Sequence, residues 1–228
     1  MSQDWSIALV HGIRQVIPTM DSLARKACPE VEVINVLQEG IFTSMLKNDK
    51  ITPRACKQFC NIICEAELSG ASLILVTGST LSPMVDVARN LVNIPVFKID
   101  EAMAEIAVKK GKRIGLVVTE ELTIEPSSKI LETKAQEIDS ELEIIPEVSI
   151  EARKYFDKNM IDKHDELIVE STKKLDGKVD LIVFAQVSMY SALAKAKEVV
   201  STDIYTAPEL AIEMVKTNLI NMGWSINE

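Results

Sequence analysis

The stretch Leu73-Ile-Leu-Val-Thr-Gly-Ser-Thr-Leu-Ser-Pro83 is a short apolar run that breaks into glycine and hydroxyl residues, then meets a serine–proline pair. Continuous apolar residues without polar alternation read as a strand covered on both faces, the mark of a parallel sheet. Ser82-Pro83 opens a helix, because proline suits a first turn whose N–H groups have no intrahelical partner. The pattern recurs at Leu181-Ile-Val-Phe-Ala-Gln-Val-Ser188 and, more loosely, at Arg113-Ile-Gly-Leu-Val-Val-Thr119. Each copy is a strand, a small polar loop and a helix.

Further apolar runs at 7–10, 31–36, 96–99, 114–118 and 143–148 predict more strands. Helix-length patterns fall near 14–27, 53–69, 82–92, 101–110, 126–139, 160–175, 188–199 and 208–221. Such alternation predicts right-handed βαβ crossovers and doubly wound parallel sheets, an α/β fold. The internal echo suggests two similar lobes, with 1–100 plus about 206–228 in the first and 101–205 in the second. Local signals agree with several boundaries. Thr52-Pro53 is a cap followed by proline, Gly70 a stop, Asp100 a cap for a helix at Glu101, and Lys109, Lys110 and Gly111 a basic last turn with its glycine.

The chain has 34 acidic and 25 basic residues, a formal net charge of −9. That balance offers no broad attraction to nucleic acid or an anionic membrane, so neither is an expected partner. It still admits a small anion, which a few backbone N–H groups can hold locally. No apolar run reaches the ~18 residues of a membrane span. Met1-Ser2-Gln3-Asp4-Trp5 lacks a basic leader, and a cytoplasmic protein is expected. Cys56, Cys60 and Cys64 share one face of a helix with Phe59 and Ile63. A thiolate metal site is one reading of them, but a run of small buried hydrophobes outweighs it. No metal is assigned.

Ligands of open α/β sheets gather beyond the carboxyl ends of the strands. One such loop is Thr77-Gly78-Ser79-Thr80-Leu81-Ser82, where Gly78 permits close approach and Ser79 and Thr80 offer hydroxyls beside a helix start. It is not a Walker loop, since the lysine and longer glycine spacing are absent. A second holds Thr119 and Thr123 ahead of Pro126, with Glu120 and Glu121 awkward neighbours for an anion unless they point outward. The third carries Gln186 and Ser188. His11 ends the first strand and is either an acid–base group or an ordinary polar residue. His164-Asp165 lies in a charged stretch that reads as surface salt bridging.

Several of these motifs, in order, resemble the Asp/Glu/hydantoin racemase superfamily. They are Leu75 to Arg89, Ile94 to Met103, Arg113 to Pro126 and Phe184 to Met189, with Asn35 to Glu39 and Lys163 to Asp165 fitting more loosely. The resemblance spans roughly 7 to 210. It implies two pseudo-symmetric parallel α/β lobes with a ligand cleft between them and cofactor-independent chemistry. One cysteine thiolate takes the proton alpha to a carboxylate, and a second thiol returns one from the other face. Here those two positions hold Gly78 and Gln186, neither of which titrates. The superfamily's arylmalonate decarboxylases are similar in having glycine at the first position, but they keep the second cysteine.

The resemblance therefore implies a racemase-like isomerase or lyase that binds a small carboxylate of the amino- or hydroxy-acid class without the two-thiol mechanism. The alternative is a non-catalytic carboxylate-binding protein on the same fold. Ser79, Thr80, Thr119 and Thr123 would hold ligand oxygens, Gln186 and Ser188 would orient the ligand, and His11 or Glu39 would serve as acid–base group. No cofactor is implied. A homodimer is the usual symmetric assembly.

Overall fold

The computed structural model describes residues 4–48 and 50–225. Met1 to Gln3, read above for a leader, lie outside them, as do Asp49 and Ile226 to Glu228. The chain divides into two compact units, one running to Ile99 and resuming at Pro208, the other from Asp100 to Ala207.

The first unit holds a four-stranded parallel sheet in the order β2-β1-β3-β4, with β1 (Ser6–His11), β2 (Glu32–Leu37), β3 (Leu73–Val76) and β4 (Val96–Lys98). Its register sets Ala8 beside Ile34 on one side and Ile74 on the other. The two central strands are buried throughout, as their apolar sequences require, whereas edge strand β2 alternates. Helices α1 (Ile17–Ala27), α2 (Glu39–Asn48), α3 (Pro53–Leu68) and α4 (Ser82–Ala88) follow the strands of this unit. Met20, Phe59 and Ile63 are among the side chains they bury. The Thr52 hydroxyl accepts from the Ala55 amide at the start of α3, and Gly70, at φ +92°, ends it in the left-handed region that glycine tolerates.

The second unit repeats the plan. Its sheet runs β6-β5-β7-β8, all parallel, with β5 (Arg113–Val118), β6 (Glu143–Val148), β7 (Leu181–Phe184) and β8 (Ile204–Thr206). Around it lie α5 (Glu101–Lys110), α6 (Ile124–Glu137), α7 (Ile150–Asp157), α8 (Ile161–Leu175) and α9 (Leu193–Lys197). Helix α8 comes so close to β5 that a Cβ on Gly115 would meet Leu175 Cδ1 at 2.9 Å. Helix α10 (Ala207–Asn221) then carries the chain back into the first unit. Among the described residues, no helix is long and apolar enough to cross a membrane.

Several elements differ from the sequence reading. Strand β8 and helices α2 and α7 were not anticipated; β8 has three residues, and α7 has eight and no side-chain cap. The helix expected over 188–199 is a 3-10 turn from Val187 to Ala192 followed by the brief α9, and that expected over 82–92 breaks after Ala88. Asp100 makes no side-chain cap at the start of α5; its backbone carbonyl instead accepts from the Ala104 amide at 2.9 Å.

Candidate functional site

Two strands in each unit leave the sheet in the same way. A residue in extended conformation is followed by a 3-10 turn and then an α-helix. The extended residues are Ile13 (φ −141°, ψ 140°) and Gly78 (−129°, 114°) in the first unit, and Glu120 (−147°, 135°) and Gln186 (−131°, 142°) in the second. The turns close through backbone bonds such as Leu81 N–H to Gly78 O at 2.9 Å and Met189 N–H to Gln186 O at 3.1 Å. Each turn brings the leading N–H groups of a helix to a strand end, where an anion would be held.

In the first unit, Gly78 heads the turn that carries Ser79 and Thr80, both buried. An added Cβ at Gly78 would meet only Leu81, at 3.4 and 3.5 Å, which is ordinary contact. With φ negative as well, neither space nor backbone demands glycine there. His11 is the last residue of β1 and is 1% exposed. Its Nδ1 lies 2.8 Å from the Thr77 hydroxyl and its Nε2 2.9 Å from Asn35 Oδ1, while the Asn35 amide donates to Asp21 at 2.6 Å. Burial lowers its pKa, against the opposing pull of Asn35 and Asp21, so the ring is neutral near pH 7. Asn35 Oδ1 can only accept, so Nε2 carries the proton and Nδ1 accepts from Thr77. Both ring nitrogens are engaged, which leaves His11 holding the residue before Gly78 rather than offering a free base. Glu39, the first residue of α2, accepts three hydrogen bonds from Arg14, among them Nε to Oε1 at 2.9 Å and the backbone N–H to Oε1 at 3.4 Å. Arg14 holds its carboxyl below the usual range, which makes it a poor proton acceptor.

In the second unit, the structure joins two residues that the sequence had placed in separate loops. Gln186 Oε1 accepts from the Thr119 backbone N–H at 2.7 Å and from the Thr119 hydroxyl at 2.9 Å. The donors expected to hold a ligand oxygen are therefore held by a side-chain oxygen of the chain itself. Thr123 sits at the start of α6, fully buried, and its hydroxyl has no hydrogen-bond partner among the described residues. Ser188 is buried in the turn after Gln186.

Two features of this unit bear on the sequence reading, and the second corrects it. Glu120 does not point outward: it is 8% exposed and pairs with Arg153 of α7, whose Nη1 lies 2.7 Å from Oε1 without hydrogen-bond alignment. The unforeseen α7 supplies that arginine. His164-Asp165 is not a surface pair either. His164 is fully buried, its Nδ1 donates to Asp165 Oδ1 at 2.9 Å, and Ser191 donates to the same oxygen at 2.7 Å. Phe156 of α7 covers the imidazole at a ring separation of 5.1 Å. The inward stripe His164, Ile168, Ser171 and Leu175 does have helical spacing, and that periodicity carried the missed signal.

The cysteines occupy none of these turns. Cys56, Cys60 and Cys64 lie on α3, and burial with the neighbouring thiols pushes the Cys60 thiol up. Burial likewise pushes the Cys28 thiol up to about 11. Among the described residues, no three His, Cys, Asp or Glu side chains stand where they could hold a metal ion.

The family model for Asp/Glu/Hydantoin racemase matches residues 14–215. Curated protein sequences give no match. Among solved structures, glutamate racemase from Francisella tularensis, in complex with D-glutamate, superposes with TM-score 0.76 at 12% identity, covering 96% of this chain and 82% of its own. Aspartate racemase from Picrophilus torridus gives 0.71 at 12% identity, covering 93% and 94%. Allantoin racemase from Klebsiella pneumoniae gives 0.67 at 14%, covering 98% and 90%. At these identities the likeness is one of fold.

Proposed function

We infer that this chain, which belongs to the Asp/Glu/hydantoin racemase family, binds a small carboxylate of the amino- or hydroxy-acid class and acts on its alpha carbon without a thiol pair. The reaction class is isomerase or lyase. One observation carries the reading. The two strand-end turns that head the expected ligand loops have matching backbones, yet one is headed by glycine and the other by an amide locked onto Thr119. The turns keep the means of holding an anion and lack a thiol to move its proton.

The binding parts are ordinary chemistry. Thr80 and Ser188 hydroxyls stand on 3-10 turns that lead helix N–H groups toward a ligand carboxylate. The same donors stabilise the charge that develops when an alpha proton departs. The four thiols are remote from these turns in sequence and, at Cys28 and Cys60, are held in the protonated state.

Incubation with a panel of alpha-amino and alpha-hydroxy acids in D2O, read by proton NMR, tests the enzyme reading. Loss of the alpha-proton signal for at least one acid is expected, together with a rise in Tm on adding that acid. A Tm rise without exchange on any acid would identify a binding protein instead. Neither response across the panel would refute carboxylate binding.

A further inference from the structure

Three buried side-chain oxygens within the stretch 120–127, Glu120 Oε2, Thr123 Oγ1 and Ser127 Oγ, lack a hydrogen-bond partner among the described residues, and Glu120 Oε1 has only its ion pair with Arg153. Buried polar atoms are nearly always satisfied, so a cluster of exceptions marks a place where the folded chain is arranged for something other than its own stability. The cluster is built locally. Glu120 leaves β5 in extended conformation, its carbonyl closes the 3-10 turn by accepting from the Thr123 amide at 3.1 Å, and Thr123 and Ser127 follow one helical turn apart on one face of α6. Thr123 and Ser127 are 0% and 3% exposed.

We propose that Glu120 is the group that moves the proton in this chain, its shielded carboxyl at the end of β5 doing the acid–base work that Gly78 and Gln186 cannot do, with the Thr123 and Ser127 hydroxyls donating to the substrate's carboxylate. The assignment rests on the functional reading above and names the residue that performs it. Arg153 and Asp157 of α7 are the charged groups acting on Glu120. Burial raises its pKa most, Arg153 pulls it down and Asp157 pushes it up, with a net rise. A carboxyl so placed is closer than an exposed glutamate to the value a general base needs near neutral pH.

The step balances without a further reactant. The alpha C–H bond breaks, its electron pair passes into the substrate's carboxyl group to give an enediolate, and the proton goes to a Glu120 oxygen. Return of a proton from the Glu120 carboxyl re-forms the C–H bond, and exchange of that carboxyl with solvent introduces deuterium in D2O. A single group serves one face of the planar intermediate. Label therefore enters one enantiomer faster than that enantiomer converts into the other.

The test compares wild type, Glu120→Gln and Glu120→Asp in the exchange assay, with circular dichroism and the acid-induced Tm shift as controls for folding and binding. Glu120→Gln is expected to lose about 10²–10⁴ in exchange rate while keeping the Tm shift. Glu120→Asp, which still titrates, is expected to retain measurable exchange with a displaced pH inflection. Exchange by Glu120→Gln within threefold of a working wild type, or wild-type interconversion of enantiomers as fast as exchange, overturns the assignment alone. A wild-type chain that exchanges no acid overturns the functional reading, and this assignment with it.

Discussion

Replacing Gln186 with methionine keeps the length of the side chain and removes its oxygen. Two donors then lose their acceptor: the Thr119 backbone N–H at 2.7 Å and its hydroxyl at 2.9 Å. Thr119 is 1% exposed, so water does not reach it freely. An orphaned buried donor costs ~1–3 kcal/mol, and two in a dry site would cost about 2–6 kcal/mol. Gln186 itself is only half-buried, so its departure admits some water, and the lower end, about 2 kcal/mol, is expected. For a chain of this size that lowers the Tm by ~4–8 °C. Calorimetry of wild type, Gln186→Met, Thr119→Val and the double variant gives a cycle in which the side-chain bond appears as a coupling of about 1 kcal/mol. Faster hydrogen exchange at the Thr119 amide in Gln186→Met reports the other bond directly. Strict additivity, or a Gln186→Met variant within about 0.5 kcal/mol of wild type, would show that the Gln186–Thr119 clasp does not hold this turn.

Gly78→Ala should stabilise the first unit by ~0.4–1 kcal/mol, because the native backbone suits any residue and the new methyl meets only Leu81; a lowered Tm would contradict the ordinary contact described at that position. The depressed pKa of His11 makes folding disfavour the imidazolium, so its contribution is intact above the unfolded value near 6.5 and is lost as pH falls through the lower folded value. Stability measured from pH 7 down to 5 should therefore decline less steeply in His11→Gln than in wild type, and parallel curves would disprove the neutral buried ring. Asp165→Leu orphans the donors of both His164 and Ser191 and should cost at least ~2 kcal/mol, against about 1 kcal/mol for Ser191→Ala, as read from denaturant midpoints.

Parallel strands announce themselves because each must be apolar along its whole length, and β1, β3, β5 and β7 were legible for that reason. The edges were harder. Strand β8 has three residues, and α7 begins at Ile150 without a side-chain cap, so nothing local distinguishes either from loop. Missing α7 had a direct chemical consequence: without Phe156 in place His164 read as a surface residue, and without Arg153 Glu120 had no visible partner. The strand-end turns were located correctly as loops, since glycine, serine and threonine mark them. The bond between Thr119 and Gln186 was beyond reach, because it joins residues 67 apart through side-chain geometry that no local pattern encodes. His11 was recognised as the end of a strand, but its engagement by Asn35 and Thr77 belongs to neighbouring strands.

The account turns on carboxylate chemistry that needs no cysteine. The most direct measurement is alpha-proton exchange in D2O by the intact chain, with its accessible thiols alkylated by iodoacetamide and the modification counted by mass spectrometry. Exchange on at least one small amino or hydroxy acid at the rate of the unmodified protein is the predicted result. Exchange that disappears on alkylation, with the fold preserved by circular dichroism, would place a cysteine in the reaction and contradict it.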